Sequence, residues 1–454
     1  MSFKSINPLD GTTLKVVEPW NERQLEAAMS ESAGAAPGWA ARPMEERCDL
    51  MRRVAGVLRS RRDELARLMT LEMGKLAREA RGEIDKCAWV CEYYADNGPA
   101  FLADEVIDTD ATRSLVAYQP LGTVLAVMPW NFPYWQVFRF AAPALVAGNT
   151  GLLKHASNVP QVAMSIEELF AEAGFPAGVF RTLMLPASRV AAVIEDPRVQ
   201  AVTLTGSEPA GRQVAGTAAA HIKKSVLELG GSDAFVVLED ADLELTVQNA
   251  VASRFLNGGQ SCIAAKRFIV VDAIADAFLE RFKAGVEALR AGDPMDEDTT
   301  LAPLARHDLR DDLHQQVVDS IAHGAVAVTG CAPGSGPGAF YQASILDRVE
   351  PGMRAYHEEL FGPVAIVIRA RDEADAVRIA NDSDFGLGGS VWTRDAARGE
   401  AVARRLACGA AFVNGLVKSD PRLPFGGVKH SGYGRELSRL GIREFVNAKT
   451  LWIR

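Results

Sequence analysis

The sequence predicts an α/β protein built on a doubly wound parallel sheet, and three observations carry that prediction. From residue 21 to about 98, apolar residues recur at three- and four-residue spacing, the pattern of helices that bury one face. After Pro120 the texture changes to short apolar runs alternating with helical segments. The alternation then repeats in a second series from residue 231. Sheets of this kind bind nucleotides at the carboxyl ends of their strands.

In the first series, TVLAVMP (123–129), GLLKH (151–155), FRTLML (180–185) and AVTLTG (201–206) read as buried strands, with helices at 160–174 and 188–195 between them. The apolar stretch 121–148 is interrupted by Pro129, Asn131, Pro133, Arg139 and Pro143. It reads as buried strand and loop, not as a membrane span of ~20 residues. In the second series, DAFVVLE (233–239), KRFIVV (266–271), VAVT (326–329), VAIVIR (364–369) and GGSVWT (388–393) are strands. Helices are expected at 242–256, 273–290, 306–323, 372–381 and 394–406. CAPGSGPGAF (331–340) is a surface connector. The closing FVNAKTLWIR is a strand that docks on another element or another subunit. With neither repeats nor a low-complexity linker, the two halves are expected to pack together.

The chain has 454 residues, enough for two or three domains, and a net charge of −9. No basic footprint points to a nucleic-acid partner. The first residues, MSFKSINPLDGTTLKVV, carry no apolar signal region, so a cytoplasmic protein with no membrane partner is expected. Cys87 and Cys91 lie four apart on a helical segment, but no histidine or cysteine cluster completes a metal site. They read as core thiols, and no metal is expected.

Four segments carry chemistry. Cys262 follows a Gly/Ser-rich turn in FLNGGQSCIAAKRF, where a thiol is exposed as a nucleophile; a small core residue after a turn is the alternative. Glu228 is enclosed by leucines in LELGG, and apolar surroundings raise a carboxyl pKa towards that of a general base. The alternative is a solvated surface acid. Asn131, between the prolines of PWNFP, offers a rigid amide donor for an oxyanion or, alternatively, a structural turn. Thr205-Gly206-Ser207 follows a strand and opens a helix, so its amides can face a pyrophosphate, and Lys154 ends a strand where a ribose or phosphate contact is plausible.

Together these segments resemble the aldehyde dehydrogenase superfamily. The motifs are PWNFP (129–133), KHAS (154–157), TGS (205–207), LELGG (227–231), GQSC (259–262), EELFGP (358–363), PFGG (424–427) and SGYGRE (431–436). YQPLGTVLAVMPWNFPYWQVFR and LLKHASNVPQ look like the short bacterial succinate-semialdehyde dehydrogenase branch. The resemblance implies an aldehyde dehydrogenase-like fold: a doubly wound cofactor domain (1–108 and 122–229), an α/β catalytic domain (230–431) and a small β oligomerisation element (109–121 and 440–454). A homodimer or homotetramer is implied with it.

The resemblance also implies roles. Cys262 attacks an aldehyde, Asn131 and the Cys262 N–H hold the oxyanion, and Glu228 activates the water that releases the acid. Trp130, Lys154, Ser157, Gly206, Ser207, Glu359 and Phe361 would contact the cofactor. Many relatives have glutamate where this chain has Ser157. A carboxylate there repels a 2′-phosphate, so NADP is expected over NAD. Arg139, among Trp135, Phe138 and Phe140, is expected to pair with the distal carboxylate of a semialdehyde; a structural ion pair is the alternative. Ser419 would add a hydroxyl to that carboxylate, with Trp135 and Ser261 lining the same pocket. Leu256 stands where many such enzymes have a second arginine, which loosens the clamp and admits glutaric semialdehyde or other aldehydes. A cysteine hydrolase would need a histidine near Cys262, and none is near it in sequence. A coenzyme A-acylating enzyme would have no use for Glu228.

Overall fold

The structure is a computed structural model that describes residues 2–454. A hairpin, β1 (Phe3–Ile6) and β2 (Thr13–Val17), precedes four helices: α1 (Glu22–Ala41), α2 (Met44–Ser60), α3 (Arg62–Met73) and α4 (Ala77–Phe101). Asn21 caps α1 reciprocally with Gln24, satisfying amides that the first turn leaves free. Next come β3 (Glu105–Ile107) and β4 (Arg113–Pro120). The first alternating series runs β5 (Thr123–Met128), α5 (Trp135–Val146), β6 (Thr150–His155), α6 (Pro160–Glu172), β7 (Phe180–Thr182), α7 (Val190–Glu195), β8 (Val199–Thr205), α8 (Glu208–Ala220) and β9 (Lys224–Glu228).

The second series opens with β10 (Asp233–Val237), α9 (Leu243–Phe255), β11 (Ala265–Val271), α10 (Asp272–Glu287) and α11 (His307–Ala322). It continues through β12 (Val326–Thr329), β13 (Ser344–Asp347), α12 (Arg354–His357), β14 (Val364–Ala370), α13 (Glu373–Asn381), β15 (Gly388–Trp392), α14 (Ala396–Ala403) and β16 (Ala410–Val413). The short β17 (Gly432–Tyr433), α15 (Ser438–Ile442) and β18 (Val446–Ile453) close the chain.

The first series forms a six-stranded sheet in the order β17-β9-β8-β5-β6-β7, parallel except for β17. The chain starts at central β5, winds outward to β7, then returns to add β8 and β9 on the other side. The switch point therefore lies at the carboxyl ends of β5 and β8, where an open α/β sheet leaves a crevice. The second series forms a seven-stranded sheet, β12-β13-β14-β11-β10-β15-β16, parallel except for the β12–β13 pair. A third sheet, β18-β4-β3, pairs Val446–Ile453 antiparallel with Arg113–Pro120 of the same chain. The terminal strand therefore docks within its own chain, and this sheet takes in residues 105–107 as well.

One expectation fails. Residues 135–146, read as strand and loop, form α5, and all twelve are buried. A helix buried on every side has no polar face, so it carries no helical period. Pro143 sits in its last turn, where few residues follow to be disturbed. β9, β13 and β16 were not foreseen as strands, and the run at 180–185 is a strand only over Phe180–Thr182. Among the described residues, no helix is long and apolar enough to cross a membrane.

Candidate active site

The nucleophile candidate stands on a loop between α9 and β11. Asn257, Gly258 and Gly259 all have positive φ (55°, 61° and 75°), which reverses the chain sharply before Gln260-Ser261-Cys262. A Cβ on Gly259 would overlap the carbonyl of Gly362. Arg254, fully buried, donates to the carbonyls of Gly259 and Leu360, both at 3.0 Å. Lys266 donates to the carbonyls of Ser261 and Cys262, both at 2.9 Å, and pairs with Glu359 Oε1 at 3.1 Å. The loop that carries the sulfur is thus pinned by two buried cations.

Asn131 is brought to this loop from the end of β5. Its Nδ2 donates to the Gln260 carbonyl at 3.1 Å, and its Oδ1 accepts from Gln136 Nε2 at 3.1 Å. Its own carbonyl accepts from Lys75 Nζ at 2.9 Å and Asn257 Nδ2 at 2.8 Å. These bonds fix the amide orientation, with one Nδ2 proton left over.

Two cavities meet at Cys262. One, of about 270 Å3, lies at the switch point and is lined by Trp130, Asn131, Gly206, Ser207, Glu359 and Phe361, among others. Trp130 and Phe361 meet edge to face across it, with ring centroids 5.9 Å apart. Ser207 precedes α8 without a side-chain cap, so the amides of Glu208 and Ala210, on either side of Pro209, are left for a ligand. The second cavity, of about 340 Å3, includes Phe132, Trp135, Arg139, Ser261, Phe425 and Ser419 in its wall. Cys262 and Gln136 line both.

Burial pushes the Cys262 thiol up to about 12, against the pull of Arg139 and Lys266. Glu228 is buried at the end of β9, and burial, with Glu436 nearby, holds its carboxyl well above the usual carboxylate range. Neither carboxyl oxygen has a hydrogen-bond partner. Oε1 lies beside Gly426, where a Cβ would stand 2.7 Å away. The carboxyl is therefore set back from both cavities, free of hydrogen bonds that would hold it there.

Arg139 is placed differently from the expectation of a free carboxylate clamp. It touches the second cavity, but its Nε is ion-paired with buried Glu436, its Nη2 reaches Thr205 Oγ1 at 3.3 Å, and its guanidinium lies over the Phe425 ring at 4.6 Å. The structural ion pair weighed as the alternative is present, and the side chain still forms part of the second cavity's wall. Lys154 is buried at the end of β6 and Ser157 is exposed just beyond it, and neither is in the wall where the cavities join. Sequence reasoning missed Gln136, Lys266, Glu436 and Lys86. Glu79, Glu83 and Lys86 follow helical spacing along one face of α4, and all three line the second cavity. That spacing of charges on an otherwise apolar helix face was the available signal.

The profile of the aldehyde dehydrogenase family matches residues 1–451. The chain belongs to the aldehyde dehydrogenase family. The NAD(P)-dependent oxidoreductase class and the fold expected from its motifs both hold. Among its relatives, a probable succinate-semialdehyde dehydrogenase [NADP(+)] of Synechocystis sp. is 50% identical over 453 residues, covering all of both chains. A succinate semialdehyde dehydrogenase [NAD(P)+] of Escherichia coli is 47% identical over 99% of this chain and 97% of its own. The solved succinic semialdehyde dehydrogenase of Streptococcus pyogenes, in complex with NADP+, superposes with a TM-score of 0.98 at 40% identity, covering 99% of each chain.

Proposed function

We propose that this aldehyde dehydrogenase oxidises succinic semialdehyde to succinate with NADP. The observation that carries the reading is the meeting of two cavities at one thiol, so that an aldehyde and a dinucleotide reach Cys262 from different sides. The names of relatives that match the whole chain supply the substrate and cofactor. The switch-point cavity fits a dinucleotide: uncapped amides at the start of α8 suit a pyrophosphate, and Trp130 and Phe361 flank the way to Cys262. Gly206, Ser207 and Glu359 would hold the cofactor, with Lys154 and Ser157 at its ribose end. NADP, when bound, supplies a hydride acceptor.

The chain's own residues do the rest. Cys262 gives up its proton to solvent water as its sulfur bonds to the aldehyde carbon. The free Nδ2–H of Asn131 and the Cys262 amide stabilise the resulting oxyanion. Once the carbon has lost its hydride, it remains as a thioester on Cys262. Glu228 swings forward and takes a proton from water, whose oxygen attacks the thioester carbon. The C–S bond breaks, the acid leaves, and the sulfur recovers a proton. A reducing cytoplasm keeps that sulfur free. The β18-β4-β3 sheet, with Val106, Ile107, Leu451, Trp452 and Ile453 exposed, supports assembly into a homodimer or homotetramer.

The test is a matrix of kcat/KM values for succinic semialdehyde, glutaric semialdehyde, butyraldehyde and benzaldehyde with each cofactor. Succinic semialdehyde with NADP is expected to lead. Butyraldehyde turned over as well as succinic semialdehyde would overturn the substrate, and a tenfold preference for NAD would overturn the cofactor.

A further inference from the structure

Gln136 stands where the two cavities meet and shares the wall of both with Cys262. It lies in the first turn of α5, is 2% exposed, and uses its side-chain amide unevenly. Nε2 donates to Asn131 Oδ1 at 3.1 Å, while Oε1 is buried without a partner. A buried acceptor left unpaired costs stability, and an apolar side chain of the same length avoids that cost. Packing alone gives no reason for an amide at this position. Its donor does.

The direction of the bond follows from its far end. The Gln260 carbonyl has no proton to give, and it accepts from Asn131 Nδ2 and Asn257 Nδ2, both at 3.1 Å. Asn131 must therefore turn its nitrogen to Gln260 and its oxygen to α5, where Gln136 meets that oxygen with a proton. An Asn131 amide turned over would set its oxygen against the Gln260 carbonyl, beside the place where negative charge gathers in the reaction. Gln260 opposes that turn from one side and Gln136 from the other. A donor held in advance stabilises developing charge without having to reorient as the charge appears.

We propose that Gln136 is a positioning residue of the oxyanion site, acting on the aldehyde only through Asn131 by locking that amide with its Nδ2–H toward the reacting carbonyl. This rests on the reading of Asn131 as the oxyanion donor. A residue that works in this way affects charged and uncharged aldehydes alike.

The test is a cycle of four enzymes: wild type, Gln136→Met, Asn131→Ala and the double variant, each assayed with NADP on succinic semialdehyde and butyraldehyde. Asn131→Ala is expected to lose about 100-fold or more in kcat/KM, and Gln136→Met about tenfold, on both aldehydes. In the Asn131→Ala background, Gln136→Met should change kcat/KM by no more than about twofold. A tenfold loss that persists in that background, or one confined to a single aldehyde, would overturn the proposal alone. Asn131→Ala with wild-type kcat/KM would overturn the donor reading and this proposal with it. Gln136→Leu replaces Gln136→Met if circular dichroism shows a folding defect. Gln136→Glu supplies a second readout, because it keeps the shape and donates only while its carboxyl is protonated. Its kcat/KM relative to wild type, a ratio in which the titrations of Cys262 and Glu228 cancel, is expected to fall as pH rises. A ratio that does not move with pH would count against Gln136 as the donor that holds Asn131.

Discussion

At the scale of single residues, Cys262 rests as a neutral thiol, and Glu228 is raised far enough to exchange protons near neutrality. Their division of labour is separable by mutation. Cys262→Ala should abolish turnover. Glu228→Gln should leave sulfur attack intact and stall release of the acid, giving a rapid burst of reduced cofactor and then a slow steady state in stopped-flow absorbance. A Glu228→Gln enzyme with neither burst nor slowing would remove Glu228 from acid release. The catalytic candidates were legible because each sits in a short motif beside glycine or proline. The substrate end was less so. Arg139 stood out as an arginine among aromatic residues, but its partner Glu436 lies nearly 300 residues away in sequence, and no local pattern announces so distant an ion pair. Lys86 was legible only through its spacing with Glu79 and Glu83 along one face of α4.

At the scale of elements, the reversal at Asn257–Gly259 sets the position of the sulfur. Only glycine fits at Gly259, where a positive φ of 75° coincides with close approach to the Gly362 backbone. Gly259→Ala is therefore expected to cost roughly 1–3 kcal/mol in stability. It should also lower kcat for charged and uncharged aldehydes alike, because it moves Cys262 itself. Thermal denaturation beside two-substrate kinetics checks this; full activity with an unchanged Tm would show that the loop tolerates a Cβ. Strands that run as short β-branched stretches, such as β11 and β14, were plain in the sequence. α5 was not, because all of its residues are buried and the period that marks a helix disappears. β9 was obscured by the LELGG motif at its end, β13 by the Ser344 and Asp347 that bound its two apolar residues, and β16 by the two alanines that open it.

At the scale of the whole molecule, two parallel sheets each contribute one side of the site, and the alternating texture of the sequence foretold both. It gave no hint of their mutual placement, which depends on contacts such as Lys75 with the Asn131 carbonyl and Asn257 with Asn131. The bonds of Asn131 to Asn257 and to the Gln260 carbonyl tie the switch point of one sheet to the nucleophile loop of the other, and Lys75 ties the N-terminal helices to the same asparagine. The cofactor end and the carboxylate end then lie in separate chambers. Ser157→Glu should shift preference from NADP towards NAD by roughly 5- to 150-fold through like-charge repulsion. Combined with Ser419→Ala, a change in the wall of the aldehyde chamber, the two effects should multiply, with a coupling energy under about 0.5 kcal/mol. A larger coupling, measured from kcat/KM in the four-enzyme cycle, would mean that the chambers are mechanically joined.

Two rooms that share only Cys262 and Gln136 have a consequence for how such a protein diverges. A mutation that admits a longer or uncharged aldehyde alters the Lys86 and Ser419 wall and leaves the dinucleotide's wall untouched. A change of nucleotide likewise leaves the aldehyde's wall alone. A lineage carrying this architecture can exchange its fuel and its electron carrier one at a time, passing through working intermediates, because no residue but Cys262 and Gln136 answers to both.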